Sequence, residues 1–234
     1  MIKRRVILGA LFGTAALVLS GCNPFWKDYR YKMTVEVQTP QGVKSGYAVR
    51  QVSFHARPNG GDGAGARGEA IAVDIAPGKT LFALLTGANG DSDYASWIAS
   101  WALDRKMSPN GANKDYDAGA FAELYPTAPK TESPIYFGAL PMLVTFRDIR
   151  DPKSIARVDA ANLTTMFGAG VTLKRITVQK TREPVTEGIE ERFTWWGKLK
   201  SERLRLNGSN SVVISTNELS DNIGTGAFST MAKK

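Results

Sequence analysis

The chain reads as an α+β fold: antiparallel β-hairpins first, a tryptophan-bearing helix next, and a β-α-β module towards the C-terminus. Three observations predict it. Tyr31, Met33, Val35 and Val37 alternate with Lys32, Thr34, Glu36 and Gln38, the period-two pattern of a half-buried strand. Ala76-Pro77-Gly78-Lys79 divides two apolar stretches with a Pro-Gly pair suited to a type II turn. Tyr94, Trp97, Ile98 and Trp101 then recur at helical spacing.

The first strand stops at Thr39-Pro40-Gln41-Gly42, where Pro presets φ and Gly accepts a positive one. Apolar positions resume at Val43, Tyr47 and Val49, then shift parity to Val52, Phe54 and Ala56. A bulge near Arg50-Gln51 would keep both halves on the core. His55, the sole histidine, falls with Ser53 and Arg57 on the opposite face, without a carboxylate close in sequence. Residues 58–68 read as a loop. They contain a literal G-x-G-x-x-G at Gly63, Gly65 and Gly68, but a strand-like stretch follows where a dinucleotide site needs a helix. Ile71, Val73 and Ile75 mark the next strand. Leu81 to Leu85 is apolar without alternation, as in a strand covered on both faces.

Ser92 is placed to cap the helix, with Asp93 in the first turn and Arg105 and Lys106 in the last. Gly90-Asp91-Ser92 resembles the nucleophile block of GDS-type esterases. That family needs a late histidine as base, and none follows His55. Asn89, Asp91 and Asp93 open like a calcium loop, but Tyr94 and Ser100 stand where its glycine and glutamate belong, so no metal site is predicted. Trp97 and Trp101 suit either a core stripe or a sugar-stacking platform. Residues 108–133 form a long Pro/Gly/Asn/Asp-rich stretch and a possible sub-boundary. Its aromatic residues Tyr116, Phe121 and Tyr125, with Tyr136, are the first place to seek a ligand, against a plain surface excursion.

The second half offers a strand over Leu140–Phe146 and a turn at Asp151-Pro152. A helix capped by Asp159 should run to Phe167 and stop at Gly168 and Gly170, before a strand over Val171–Lys180. Residues 139–197 are similar to uncharacterised proteobacterial envelope proteins, a resemblance that implies no activity. Glu187, Glu190 and Glu191 precede Phe193-Thr194-Trp195-Trp196, read as an aromatic strand. Carboxyl pairs beside tryptophans suit glycoside hydrolysis, although Pro184 and Gly188 disfavour the helix that would align them. Ser211–Ser215 is a brief strand, and residues 217–234 read as a flexible tail.

The N-terminus carries the most specific signal. Lys3, Arg4 and Arg5 precede the uncharged run Val6–Leu19, about fourteen residues where a spanning helix takes about twenty. Residues 1–21 therefore read as a secretory signal. Leu19-Ser20-Gly21-Cys22 resembles the lipobox of bacterial lipoproteins. The resemblance implies a diacylglycerol on the Cys22 thiol, cleavage before it and a lipidated tether over residues 22–32. Asn23, where an Asp would imply inner-membrane retention in enteric bacteria, implies the outer membrane. The tether's Phe25, Trp26, Tyr29 and Tyr31 suit either the headgroup layer or the edge of the domain.

Composition fits that address. Cys22 is the only cysteine, so the body at 33–216 must be held by its core. Without the first 21 residues, 234 − 21 = 213 remain, and 27 basic against 22 acidic residues leave +5. No dense basic block points to nucleic acid. The functional expectation is a membrane-anchored, periplasm-facing lipoprotein with a non-enzymatic binding or envelope-structural role and no cofactor. Its expected partners are the membrane, through the lipid on Cys22, and envelope proteins or glycans. The alternative is a glycan-directed binder or hydrolase using Glu187, Glu190 or Glu191 with Trp97, Trp101, Trp195 and Trp196.

Overall fold

The computed structural model describes residues 27–56, 62–103, 132–135, 137–210 and 218–231. In chain order the elements are β1 (Lys27–Thr39), β2 (Gly42–Ala56), β3 (Asp62–Arg67), β4 (Ile71–Ala76), β5 (Lys79–Gly87) and α1 (Tyr94–Leu103). Then follow β6 (Ser133–Pro134), β7 (Pro141–Phe146), β8 (Ile155–Arg157), α2 (Thr164–Phe167), β9 (Thr172–Lys180), α3 (Trp196–Ser201) and α4 (Leu219–Asn222). The fold is α+β. A five-stranded sheet runs β3-β2-β1-β9-β6 and a four-stranded sheet β4-β5-β7-β8, with every described pairing antiparallel.

The two sheets face each other across one core, and α1 packs on β5 and β9 within it. The odd residues Tyr29 to Val37 of β1 meet Ile71, Val73, Leu81 and Ala83 of the second sheet. Gly46 makes the close crossing of β2 over β4 possible: a Cβ there would collide with the Ala72 carbonyl. The other face of the second sheet carries a second core, where Phe82, Leu84, Val144 and Phe146 meet Phe193, Trp196 and Phe228. Leu81 to Leu85 is thus covered on both sides, and β5 lies inside its sheet. The hairpin before it turns at Gly78, φ +72°.

Several sequence expectations change. No bulge interrupts β2, whose register with β1 is continuous from Phe54 to Gly42. Arg50, not an apolar residue, occupies the inward position between Ala48 and Val52, while Val43 and Tyr47 face outward at 46% and 52% exposure. Lys32 Nζ lies 4.2 Å over the Tyr47 ring, and Thr186 covers Val49, its N–H donating to the Val49 carbonyl and its Oγ1 accepting from the Val49 N–H. An irregularity falls instead in β9, where apolar residues shift parity from Val171 and Leu173 to Ile176 and Val178: Glu36 pairs with Arg175 and Val37 with Leu173. Lys174 and Arg175 consequently both reach Glu36.

The glycine-rich stretch is not wholly a loop, because Asp62–Arg67 pairs with β2 as an edge strand. Tyr29 and Tyr31 are buried in β1, so the tether's second half belongs to the sheet, and Tyr31 Oη donates to Ala95 O at 2.7 Å. Strand, short helix and strand follow in the expected order as β7, α2 and β9, but the two strands lie in different sheets. Asp159 caps only a local turn, its Oδ1 accepting from Ala161 N–H. Residues 193–196 form a turn into α3 rather than a strand, because three stacked rings hold them as a knob on the second core. The expected tail is packed where it is described: Phe228 is fully buried, and Ala70 N–H donates to its carbonyl at 2.7 Å. Residues 211–217 and 232–234 lie outside the described residues.

Candidate functional site

A concave part of the described surface lies where β5 ends. Gly87 pairs with Pro141, and the turn closes through Gly87 N–H to Asp91 O and Ala88 N–H to Leu140 O. Gly87 has no room for a side chain, since a Cβ would sit 2.9 Å from Asn89 Oδ1 and 3.2 Å from the Tyr94 ring. Asp91 organises the start of α1: one carboxylate oxygen accepts from Asp93 N–H, the other from Trp97 Nε1–H at 2.6 Å. No such bond involves Ser92, which is exposed and faces the concavity.

Two chambers meet at this place, and Arg157 and Met142 line both. One, about 470 Å³, has walls of Leu140, Pro141, Leu143, Val158, Ala160 and Ala161. The other, about 810 Å³, is edged by Thr86, Ser92 and Asn222 and by the backbone at Gly224 and Gly226. Pockets of this size, mostly apolar with a few convergent polar groups, are the usual form of a small-ligand site. The Arg157 guanidinium is held by Ala88 O, 3.1 Å from Nη1, and Met142 Sδ, 3.8 Å from Nη2. It has no carboxylate partner among the described residues. A guanidinium carries five N–H donors, so the junction keeps donors to spare.

A second polar feature is internal. Arg50 is fully buried; its Nε donates to Glu69 O at 3.1 Å, Nη1 lies 3.7 Å from Met33 Sδ, and Nη2 has no partner. Burial raises the pKa of Tyr31 and Tyr94, and the nearby Arg50 charge offsets only part of it. Glu69 is also buried, and its Oε2 accepts from Ile189 N–H at 2.8 Å. Burial pushes its carboxyl above the usual range; hydrogen bonds from Ile189 and Thr186 oppose this, while the Glu190 charge adds to it.

The residues singled out in the sequence do not converge. Trp97 and Trp101, both half-buried, pack against the core between the sheets. Trp195 and Trp196 belong to the second core, on the far side of the four-stranded sheet, where Trp195 Nε1 donates to Ile149 O at 2.9 Å. Glu187 and Glu191 are exposed around a 3₁₀ turn, with Glu187 3.5 Å from Arg67. Cys22, Tyr116, Phe121, Tyr125, Tyr136 and the His55 side chain lie outside the described residues, as do Arg105 and Lys106. Among the described residues no group of three His, Cys, Asp or Glu side chains is placed to hold a metal ion.

Sequence reading missed Arg157, Met142, Arg50 and Glu69. For Arg50 a signal existed, the charged residue amid the even apolar positions 48, 52 and 54. Arg157 had none, because its setting depends on a turn 69 residues away. No family model, curated protein or solved structure matches the chain.

Proposed function

We propose that the chain is a bacterial lipoprotein, anchored through a lipid on Cys22 and facing the periplasm, with a non-enzymatic role in binding or envelope structure. The observation that carries this reading is the stretch Leu19-Ser20-Gly21-Cys22 behind a short uncharged run, and the placement of β1 is compatible with it. That strand starts at Lys27, five residues after Cys22, and lies inside the five-stranded sheet with β2 and β9 on either side. Five residues span at most about 18 Å, so a lipid at Cys22 would hold the end of this sheet close to the bilayer. Two acyl chains suffice for stable attachment without a spanning helix. Among the described residues no helix is long and apolar enough to cross a membrane.

The two-chambered groove beside Arg157 supplies the binding side of the proposal. The tryptophans supply no glycan platform, since they divide between two cores. Cys22→Ser tests the anchor. The expected outcome is loss of palmitate incorporation and release of the protein from sedimented envelopes. Palmitate incorporation at the wild-type level would refute the reading.

A further inference from the structure

We propose that the groove joined at Arg157 binds a free anionic amphiphile: one apolar chain bearing a carboxylate or phosphate head. The inference rests on the reading of the body as a binding module, but not on the anchor at Cys22. The division of the groove carries it. One chamber is walled by Leu140, Leu143 and Val158, so an apolar chain would meet charged side chains there only at Arg157, on the shared edge, and at Asp159. The Asp159 carboxylate already accepts from Ala161 N–H in its own turn and lies in the tail chamber. The other chamber offers the hydroxyls of Thr86 and Ser92, the Asn222 amide and no acidic side chain.

Arg157 stands between the two. Its Nη1 and Nη2 hydrogen bonds fix the guanidinium plane against Ala88 and Met142 rather than neutralise it. A planar cation with spare donors matches a carboxylate or phosphate, and such charge-assisted bonds are roughly twice as strong as neutral ones. The head therefore lies in the hydroxyl-lined chamber and the tail in the apolar one, with Met142 as the pliable wall between them.

The test is photolabelling of the full-length protein in envelopes with a diazirine-bearing fatty acid, followed by peptide mapping. Labels are expected on residues 140–143 and 158–161, competed by excess dodecanoate and not by dodecanol. Arg157→Gln should cut labelling about tenfold and Arg157→Lys should recover only part of the loss, because lysine keeps the charge but not the planar pair of donors. If Arg157→Gln folds poorly, Ser92→Ala at the exposed rim should still lower labelling about threefold, the loss of one modest hydrogen bond. Equal competition by dodecanol, or wild-type labelling of a folded Arg157→Gln variant, would overturn the proposal. So would labelling that appears only in Cys22→Ser, since the protein's own acyl chains would then fill the groove. Labelling retained in Cys22→Ser supports it, whatever becomes of the anchor.

Discussion

Arg50 concentrates the physical tension of this molecule in a single side chain. It is fully buried, its Nη2 is unpartnered, and Glu69 meets it through a backbone carbonyl. A guanidinium cannot shed its proton to escape burial, so the core carries a desolvated charge. Replacing buried ionic groups by apolar ones of similar volume is often neutral or stabilising, whereas truncation leaves a cavity. Arg50→Met should therefore hold stability within about 1 kcal/mol of wild type, or raise it. Arg50→Ala should cost about 3 kcal/mol. Urea denaturation of both variants decides the matter; equal losses would show that the guanidinium itself holds the sheets together. At this scale the sequence was partly legible. Position 50 shares its parity with Ala48, Val52 and Phe54, but its charge disguised it as a change of phase.

Among the elements, β9 shows how one irregularity creates an electrostatic site. The register shift lets two consecutive cations address one carboxylate: Arg175 Nη2 lies 2.7 Å from Glu36 Oε1 and Lys174 Nζ 3.1 Å from Oε2. The lysine contact is an ion pair whose geometry falls short of a hydrogen bond. Hydrogen bonding from Arg175 foremost lowers the Glu36 pKa from its usual 4.5 to about 2. A depressed carboxylate contributes stability that is present above its unfolded pKa and lost as pH falls through the folded one. Because both cations are about half exposed, screening reduces that contribution to roughly 1 kcal/mol. Glu36→Gln should lose this amount at pH 7 and match wild type near pH 2, as followed by thermal melts across that window. The hairpin of β4 and β5 was legible from Pro77-Gly78 and the unbroken run after it. The strand β3 was not, because glycines at 63 and 65 hide a pairing that β2 alone dictates.

For the whole molecule, the second core depends on residues far apart in sequence. Phe82 of β5, Phe146 of β7, Phe193 and Phe228 lie with ring centroids 5.3–5.9 Å apart. Removing a buried phenylalanine typically costs 3–5 kcal/mol, a large part of a domain's net stability. Phe228→Ala should fall in that range of about 3–5 kcal/mol and open the C-terminal residues to limited proteolysis. Unchanged protease resistance would mean that the last segment is an ornament to the fold. Composition could not disclose this role: Ser, Thr, Gly and Asn around position 220 look like a fraying end. Only the Phe82, Val144 and Phe146 face of the second sheet creates the demand for a cover.

The position of β1 has a mechanical consequence. A load applied at Lys27 along its thirteen residues would meet ladders to β2 and β9 on both flanks. Those bonds run across the strand, so they would be sheared together instead of unzipped one at a time. A body joined to a moving surface through such a strand would spread tension across the five-stranded sheet before yielding.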